Sequence, residues 1–428
     1  MTINSFEIDE LHAVEILDSR GRPTLAITAT LGDGTSARAG VPSGASTGTA
    51  EAVELRDGDQ ARYAGAGVLT AVGNVNGPLQ AAVAGHRFTS PTDVDDVLRA
   101  TDGTGNKARL GANAIIGISM AVHRACAAAR GVQLWQALTP TGVTPRLPVP
   151  HFNVVNGGAH APNSLDFQEF MIAPLGAPSF PEAVRAGAEI YAALRKRLMA
   201  AGFATGLGDE GGFAPDITSP EEVLTLLVAS ILDAGYSPGR DGVAIAMDPA
   251  ASEFHHDGTY RVAGQSLSGT DMIDRYEQII TDFPVWSIED GVAEDDQDGW
   301  IALTARLGER VQLVGDDNFV TNPAIIADAI AHHVGNAALI KVNQIGTVSE
   351  TQQAMQICRQ AGYAAMVSHR SGETDDTFIA DLAVGSGCGQ IKTGAPARGE
   401  RVAKYNRLLA IADAQPDMAF GIGGTTRG

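Results

Sequence analysis

Cysteine is scarce in this 428-residue chain: Cys126, Cys358 and Cys388 stand far apart. They build neither a disulfide framework nor a CxxC zinc pattern, and they suit a reducing, cytoplasmic setting. Aromatic residues make up only 5%. Basic residues number 30 against 50 acidic ones, for a formal net charge of −20. Such a chain lacks the basic surface that a phosphate backbone demands, which argues against a nucleic-acid partner. It still admits a small phosphorylated substrate faced by metal ions or a few local cations. No run approaches about 18 consecutive apolar residues, so no membrane-spanning helix is expected. The opening "MTINSFEIDELHAVEILDSRG" is acidic early and has no long apolar core, unlike a signal peptide or an anchor.

What the chain has in quantity is glycine, 50 residues, with abundant alanine; that composition suits small-residue packing and tight turns. Its length exceeds what one core usually spans, so two domains are expected. "HAVEILDSRGRPTLAITATLGDGTSARAGVP" shows apolar runs broken by turn residues, the pattern of hairpins. "VPSGASTGTAEAVELRDGD" reads as a small-residue loop running into a short helical pattern, and 108–130 as an apolar helix ended by Gly131. The proline-rich "LTPTGVTPRLPVP" marks a boundary. The expectation is an α+β domain over 1–138, a connection over 139–150 and a larger domain over 151–428.

In the larger domain, short apolar runs alternate with helix-like stretches, which predicts a parallel sheet closed into an α/β barrel. The runs end on Asp248, Glu289, Asp316, Lys341, His369 and Lys392. One polar strand end is an ordinary cap or turn residue. Six in succession read as a site, because a parallel barrel gathers its carboxyl ends on one face. Lys341 sits inside the apolar stretch "AALIKVNQIG", and a buried ammonium is costly unless it is paired or loses its proton.

Asp248, Glu289 and Asp316 around one point would repel one another. A hard divalent cation such as Mg²⁺ relieves that repulsion, and no His/Cys spacing suggests zinc. The competing arrangement is a buried ion network with Lys341 and Lys392. A metal beside a lysine lowers its pKa and makes it a usable base. "LGDEGGFAP" holds Asp209 and Glu210 in a glycine-flanked loop, where a carboxyl can serve as an acid. "NGGAHAPNSLDFQEFM" adds His160, Gln168 and Glu169; "SHRSGE" adds His369, Arg370 and Ser371, with Arg370 offering a fork for phosphate or carboxylate. This inventory suits proton abstraction next to a carboxylate, followed by loss of a leaving group.

The segments "LDSRGRPT", "VPSGASTG", "GDEGGFAP", "SIEDG", "LIKVNQIGT", "SHRSGET" and "IKTGAPARGERVAKYNRLL" resemble the enolase (phosphopyruvate hydratase) family, in family order and over nearly the whole chain. The resemblance implies an N-terminal α+β domain and a C-terminal barrel that begins with two strands and two helices. It implies dehydration of 2-phosphoglycerate to phosphoenolpyruvate, in the enolase-superfamily manner of a lysine or histidine base working with one or two Mg²⁺ ions. Position by position, it implies Lys341 as the base and Glu210 as the acid. Asp248, Glu289 and Asp316 would hold the tighter of two Mg²⁺ ions, and Ser46, on a loop that closes, would reach the second. Gln168, Arg370, Ser371 and Lys392 would contact substrate, supported by His160, Glu169 and His369. A homodimer or a ring of dimers is implied, and a secreted or cell-surface fraction is compatible with it.

Arg22, His151, Phe152, Gln297, Asn318 and Gly399 depart from the residues most familiar at their positions in the family; none replaces an implied metal ligand or the acid–base pair. Two other readings stand beside the main one. The first is a paralogue dehydrating a related phospho- or phosphono-carboxylic acid. The second is a binding role as a scaffold or surface adhesin, against which the complete acid–base set and the lysine-free ending "GIGGTTRG" both argue.

Overall fold

The computed structural model describes residues 5–44 and 48–423. Strands β1 (Phe6–Leu17), β2 (Pro23–Leu31), β3 (Ser36–Gly40) and β4 (Arg87–Phe88) form an antiparallel sheet in the order β3-β2-β1-β4. The two hairpin turns fall at the SRG and GDG stretches, where the sequence predicts them. The apolar helix Ala112–Ala129 packs its small residues on β2 and β3. Among the described residues it is the one helix long and apolar enough to cross a bilayer, and it lies buried in the domain core. Its hydrophobicity is therefore spent on this sheet.

Residues 51–58 form no helix, contrary to the helical pattern in "TAEAVELRD". Their amides bond outward instead: Ala52 N–H donates to the Gln344 carbonyl at 2.8 Å, Val53 to that of Asn106 at 2.9 Å, and Leu55 to Asn113 Oδ1 at 3.2 Å. Tertiary partners have claimed the groups that a helix would pair locally.

Strands β5 (Val149–Asn156), β6 (Glu169–Ala173) and β7 (Ala244–Asp248) open the second unit; β5 thus begins inside the proline-rich connection. A small antiparallel sheet follows, β8 (His255–His256), β9 (Thr259–Val262) and β10 (Gln265–Leu267). Then come β11 (Val285–Glu289), β12 (Gln312–Gly315), β13 (Ala337–Ile340), β14 (Ala364–Ser368) and β15 (Gln390–Lys392). The closed barrel runs β11-β12-β13-β14-β15-β5-β6-β7. β6 is antiparallel to both neighbours and the other pairs are parallel. Helices Phe180–Ala200 and Pro220–Asp233 separate β6 from β7, so the barrel begins with two strands and two helices, as the resemblance implies. Both helices start on a serine, Ser179 or Ser219, whose side chain accepts an amide of the first turn.

The barrel is filled. At its amino end Val149, Met171, Ala246 and Trp286 pack together, and the amides of Gln312 and Gln390 bond reciprocally at 3.0 and 2.8 Å. His151 lies buried against the Trp286 ring, with centroids 5.4 Å apart. Burial pushes its imidazole down to about 4, so it is neutral at physiological pH.

Two outcomes follow from this packing. A Cβ on Gly117 would lie 2.1 Å from Ile27 Cδ1 and 2.8 Å from Val41 Cγ2. Gly117→Ala should therefore overpack the helix–sheet contact, destabilising by about 1–3 kcal/mol, seen as a lower urea midpoint. His151 is easier to protonate in the unfolded chain than in the fold. Its contribution to stability is thus complete above about pH 6.5 and is lost as pH falls toward 4, on the order of 3 kcal/mol in all. The urea midpoint of His151→Met should fall less steeply than wild type across that window; parallel profiles would refute the assignment.

Candidate active site

The polar strand ends meet at the carboxyl end of the barrel. Asp248, Glu289 and Lys392 are the last residues of β7, β11 and β15; Asp316, Lys341 and His369 follow directly on β12, β13 and β14. Lys341 is therefore a strand terminus and not a mid-strand residue, as the apolar run suggests. The chain turns there into the short helix Val342–Ile345, and the Lys341 N–H donates to Thr321 Oγ1 at 2.9 Å instead of extending the ladder. Gln168 and Glu169 arrive by another route. Because β6 runs backwards, its first residue reaches the face where the other strands end, with Glu169 opposite both Asn156 and Asp248.

Lys392 is almost wholly buried, and its Nζ lies 2.9 Å from Glu169 Oε2, 3.2 Å from Asp248 Oδ2 and 2.8 Å from Glu289 Oε1. Lys341 Nζ pairs with Asp316 Oδ2. The three carboxylates assigned from sequence to one cation are thus shared between two ammonium groups, the ion network named as the competing arrangement. Burial alone would pull both lysines down; the surrounding carboxylates outweigh it and hold them above the ordinary lysine value. Lys341 is an ammonium here, not a lowered amine.

Glu210 stands in the loop before Gly211, where Asn153 Nδ2 donates to its Oε2 at 2.7 Å. His369 Nε2 lies 3.3 Å, and His160 Nδ1 3.6 Å, from Glu210 Oε1; His160 Nδ1 is also 3.5 Å from Glu169 Oε1. Arg401 Nη1 faces His369 Nδ1. A guanidinium only donates, so Nδ1 accepts and the ring proton sits on Nε2, toward Glu210. Burial lowers both imidazoles, His369 to about 4. Burial would raise Glu210, but the attraction of His369 and His160 when they carry a proton outweighs it and draws Glu210 well below the carboxylate range; Glu169 is driven well above, by burial and then by the Glu210 charge. Of these two carboxyls, Glu169 is therefore the one that takes a proton more readily.

Arg370 turns its fork to Glu51, with Nη1–Oε2 at 2.9 Å and Nη2–Oε1 at 3.2 Å. Ser371 Oγ accepts from Arg20 Nη1 at 3.3 Å, and the same guanidinium donates to the Ser43 and Gly44 carbonyls. Ser46 lies outside the described residues. Arg20, Glu51, Thr321, Gln344 and Arg401 were not among the residues picked from sequence. Each serves another side chain and ends no apolar run; for all but Thr321, a quoted stretch that contains the residue is the only signal. Among the departures, Asn318 Oδ1 is buried without a hydrogen-bond partner.

At the centre remains a cavity of about 20 Å³, lined by His160, Gln168, Glu210, Lys341 and Arg370 among others, room for about one water. Four carboxyl groups (Glu169, Asp248, Glu289 and Asp316) meet two ammonium groups, and a fifth, Glu210, faces His160 and His369. Glu289 is pushed well up, by burial and then by Asp248, and its Oε2 has no hydrogen-bond partner. A buried surplus of hard oxygen donors with an unused lone pair fits a divalent cation.

Comparison with known proteins agrees with this geometry. Residues 8–138 match the family model described as enolase, N-terminal domain, and residues 144–426 match enolase, C-terminal TIM barrel domain. An enolase of Rubrobacter xylanophilus is 55% identical over 415 residues, 96% of each chain. The chain belongs to the enolase family of hydro-lyases.

Proposed function

We propose that the protein is the phosphopyruvate hydratase of glycolysis and gluconeogenesis, dehydrating 2-phosphoglycerate reversibly to phosphoenolpyruvate with two Mg²⁺ ions. The observation that carries this reading is the surplus of buried carboxylates around Lys341 and Lys392 at one end of the barrel. Asp248, Glu289 and Asp316 would hold one cation. When bound, the cations supply positive charge for the substrate carboxylate as the C2 proton leaves.

Lys341 Nζ accepts the C2 proton, and the C–H electron pair moves toward the carboxylate carbon. Lys341 can do so only when its pairing with Asp316 is broken, because the pair keeps the nitrogen protonated. A fixed position on a barrel strand end makes that transfer effectively intramolecular. Glu210 then gives a proton to the 3-hydroxyl as the C3–O bond breaks, and water departs. Glu169, which takes a proton more readily, is adjacent, and His160 lies between the two carboxyls. An anionic substrate packed against Glu210 favours its protonated form, which supports the pair acting together. Arg370, Ser371, Gln168 and Lys392 would bind phosphate and carboxylate. The residues before the proline-rich connection (1–138) would serve as a cap, consistent with Arg20 and Glu51 reaching the barrel face. Paired free cysteines are not needed, and Cys126 and Cys358 are buried thiols, in keeping with a cytoplasmic enzyme, as a homodimer or ring of dimers.

The ultraviolet absorbance of phosphoenolpyruvate provides the test. Wild type should turn over 2-phosphoglycerate with Mg²⁺ and stop when a chelator is added. Lys341→Ala and Glu210→Gln should each lose about 10²–10⁴-fold in kcat with the fold intact by circular dichroism. Folded wild type that leaves 2-phosphoglycerate unchanged would refute the substrate and point to a related phospho- or phosphono-acid.

A further inference from the structure

Gln344, 1% exposed, lies beside the charged cluster. Its Nε2 donates to Asp316 Oδ1 at 2.8 Å and to Glu51 Oε1 at 3.2 Å. Its Oε1 accepts from Thr321 Oγ1 at 2.7 Å. Thr321 Oγ1 already accepts the Lys341 N–H, so its own hydrogen is directed to Gln344. That bond sets the orientation of the amide and turns both of its hydrogens toward carboxylates. Thr321 and its neighbour Val320 are β-branched residues at φ 56° and 42°. Such strain persists only where the surroundings over-determine it, and it gathers at functional sites. Glu51 carries the connection onward to the Arg370 fork.

We propose that Gln344, oriented by Thr321, is a positioning residue that holds the cation ligand Asp316 and couples it through Glu51 to the phosphate-binding Arg370. The inference rests on the roles proposed above for Asp316 and Arg370. The chemistry favours an amide at this place: it is neutral, and it alone among side chains of this length presents two donors to two anions while accepting from a hydroxyl. A carboxylate there would add a third negative charge. An aliphatic side chain would leave Asp316 Oδ1 and Glu51 without this donor and Asp316 free to turn with Lys341. Hydrogen bonds to a metal ligand of this kind set its orientation and basicity.

Direct Mn²⁺ binding to the full-length protein, followed by the electron paramagnetic resonance of free Mn²⁺ with and without inorganic phosphate, tests the coupling. Wild type should bind Mn²⁺ more tightly when phosphate is present. Gln344→Leu should weaken Mn²⁺ binding about 10- to 100-fold. Glu51→Gln should leave Mn²⁺ affinity near wild type but abolish the effect of phosphate, and the double variant should match Gln344→Leu because both act through one connection. If Gln344→Leu does not fold, Thr321→Val, which removes the orienting hydroxyl, should weaken Mn²⁺ binding, and Thr321→Ser should restore it. Wild type that turns over and binds Mn²⁺, with variants indistinguishable from it, would overturn this inference alone. Wild type that binds no Mn²⁺ would overturn the reading of the site and this inference with it.

Discussion

The surplus of negative charge buried at the carboxyl end of the barrel is the constraint on which the rest of the site depends. Five carboxyl groups and two lysines cluster there, and the cavity lined by Glu169, Glu210, Asp248 and both lysines has room for about one water. Buried charges of this kind are tolerated only when paired, and removing one partner of such a pair typically costs about 3–5 kcal/mol. Lys392, touching three carboxylates, is therefore as much a structural ion as a candidate substrate contact. The same surplus drives Glu289 and Glu169 toward protonation and keeps Lys341 charged. In this arrangement the lysines occupy the carboxylates that a cation would take, so on the proposed reading cation binding would release Lys341.

Around that cluster, neutral donors divide the work. Asn153 and Gln344 donate to carboxylates and His369 Nε2 lies 3.3 Å from Glu210, all without adding charge. The guanidinium groups sit one layer further out: Arg401 against His369 and the Arg370 and Ser371 carbonyls, Arg20 against Ser371 and the 43–44 backbone. Arg20 and Glu51 come from the part of the chain that precedes the barrel. The site is thus completed by residues that the barrel does not supply; the bond from Ala52 to Gln344 ties residues 51–58 to the barrel, and those to Asn106 and Asn113 tie them to their own domain, at the expense of local helix.

Much of this was legible in the sequence because it follows short-range rules. Apolar runs alternating with helix-like stretches predicted a barrel, and the polar residue after each run predicted which side chains gather, since parallel strands bring their carboxyl ends together whatever the details. The residues that only support others, such as Thr321, Gln344 and Arg401, left no such mark; their function is a hydrogen bond to a residue far away in the chain. Glu169 was found through a motif and not by position, because a reversed strand delivers its beginning, not its end, to the site. The helical pattern after the glycine-rich loop misled for a related reason: its amides found better partners at long range.

By itself, the sequence determined the fold class and the set of charged residues that converge, because periodicity, punctuation and residue chemistry are local properties, and its motifs in order carried the resemblance to the family. Which carboxylate each lysine neutralises, that Lys341 is held as an ammonium, that Glu169 takes a proton more readily than Glu210, and that one amide joins Asp316 to Glu51 were decided only by the tertiary structure. Those features depend on distances of a few ångströms between groups far apart in the chain, and in a buried, poorly screened environment such distances set both charge state and hydrogen-bond direction.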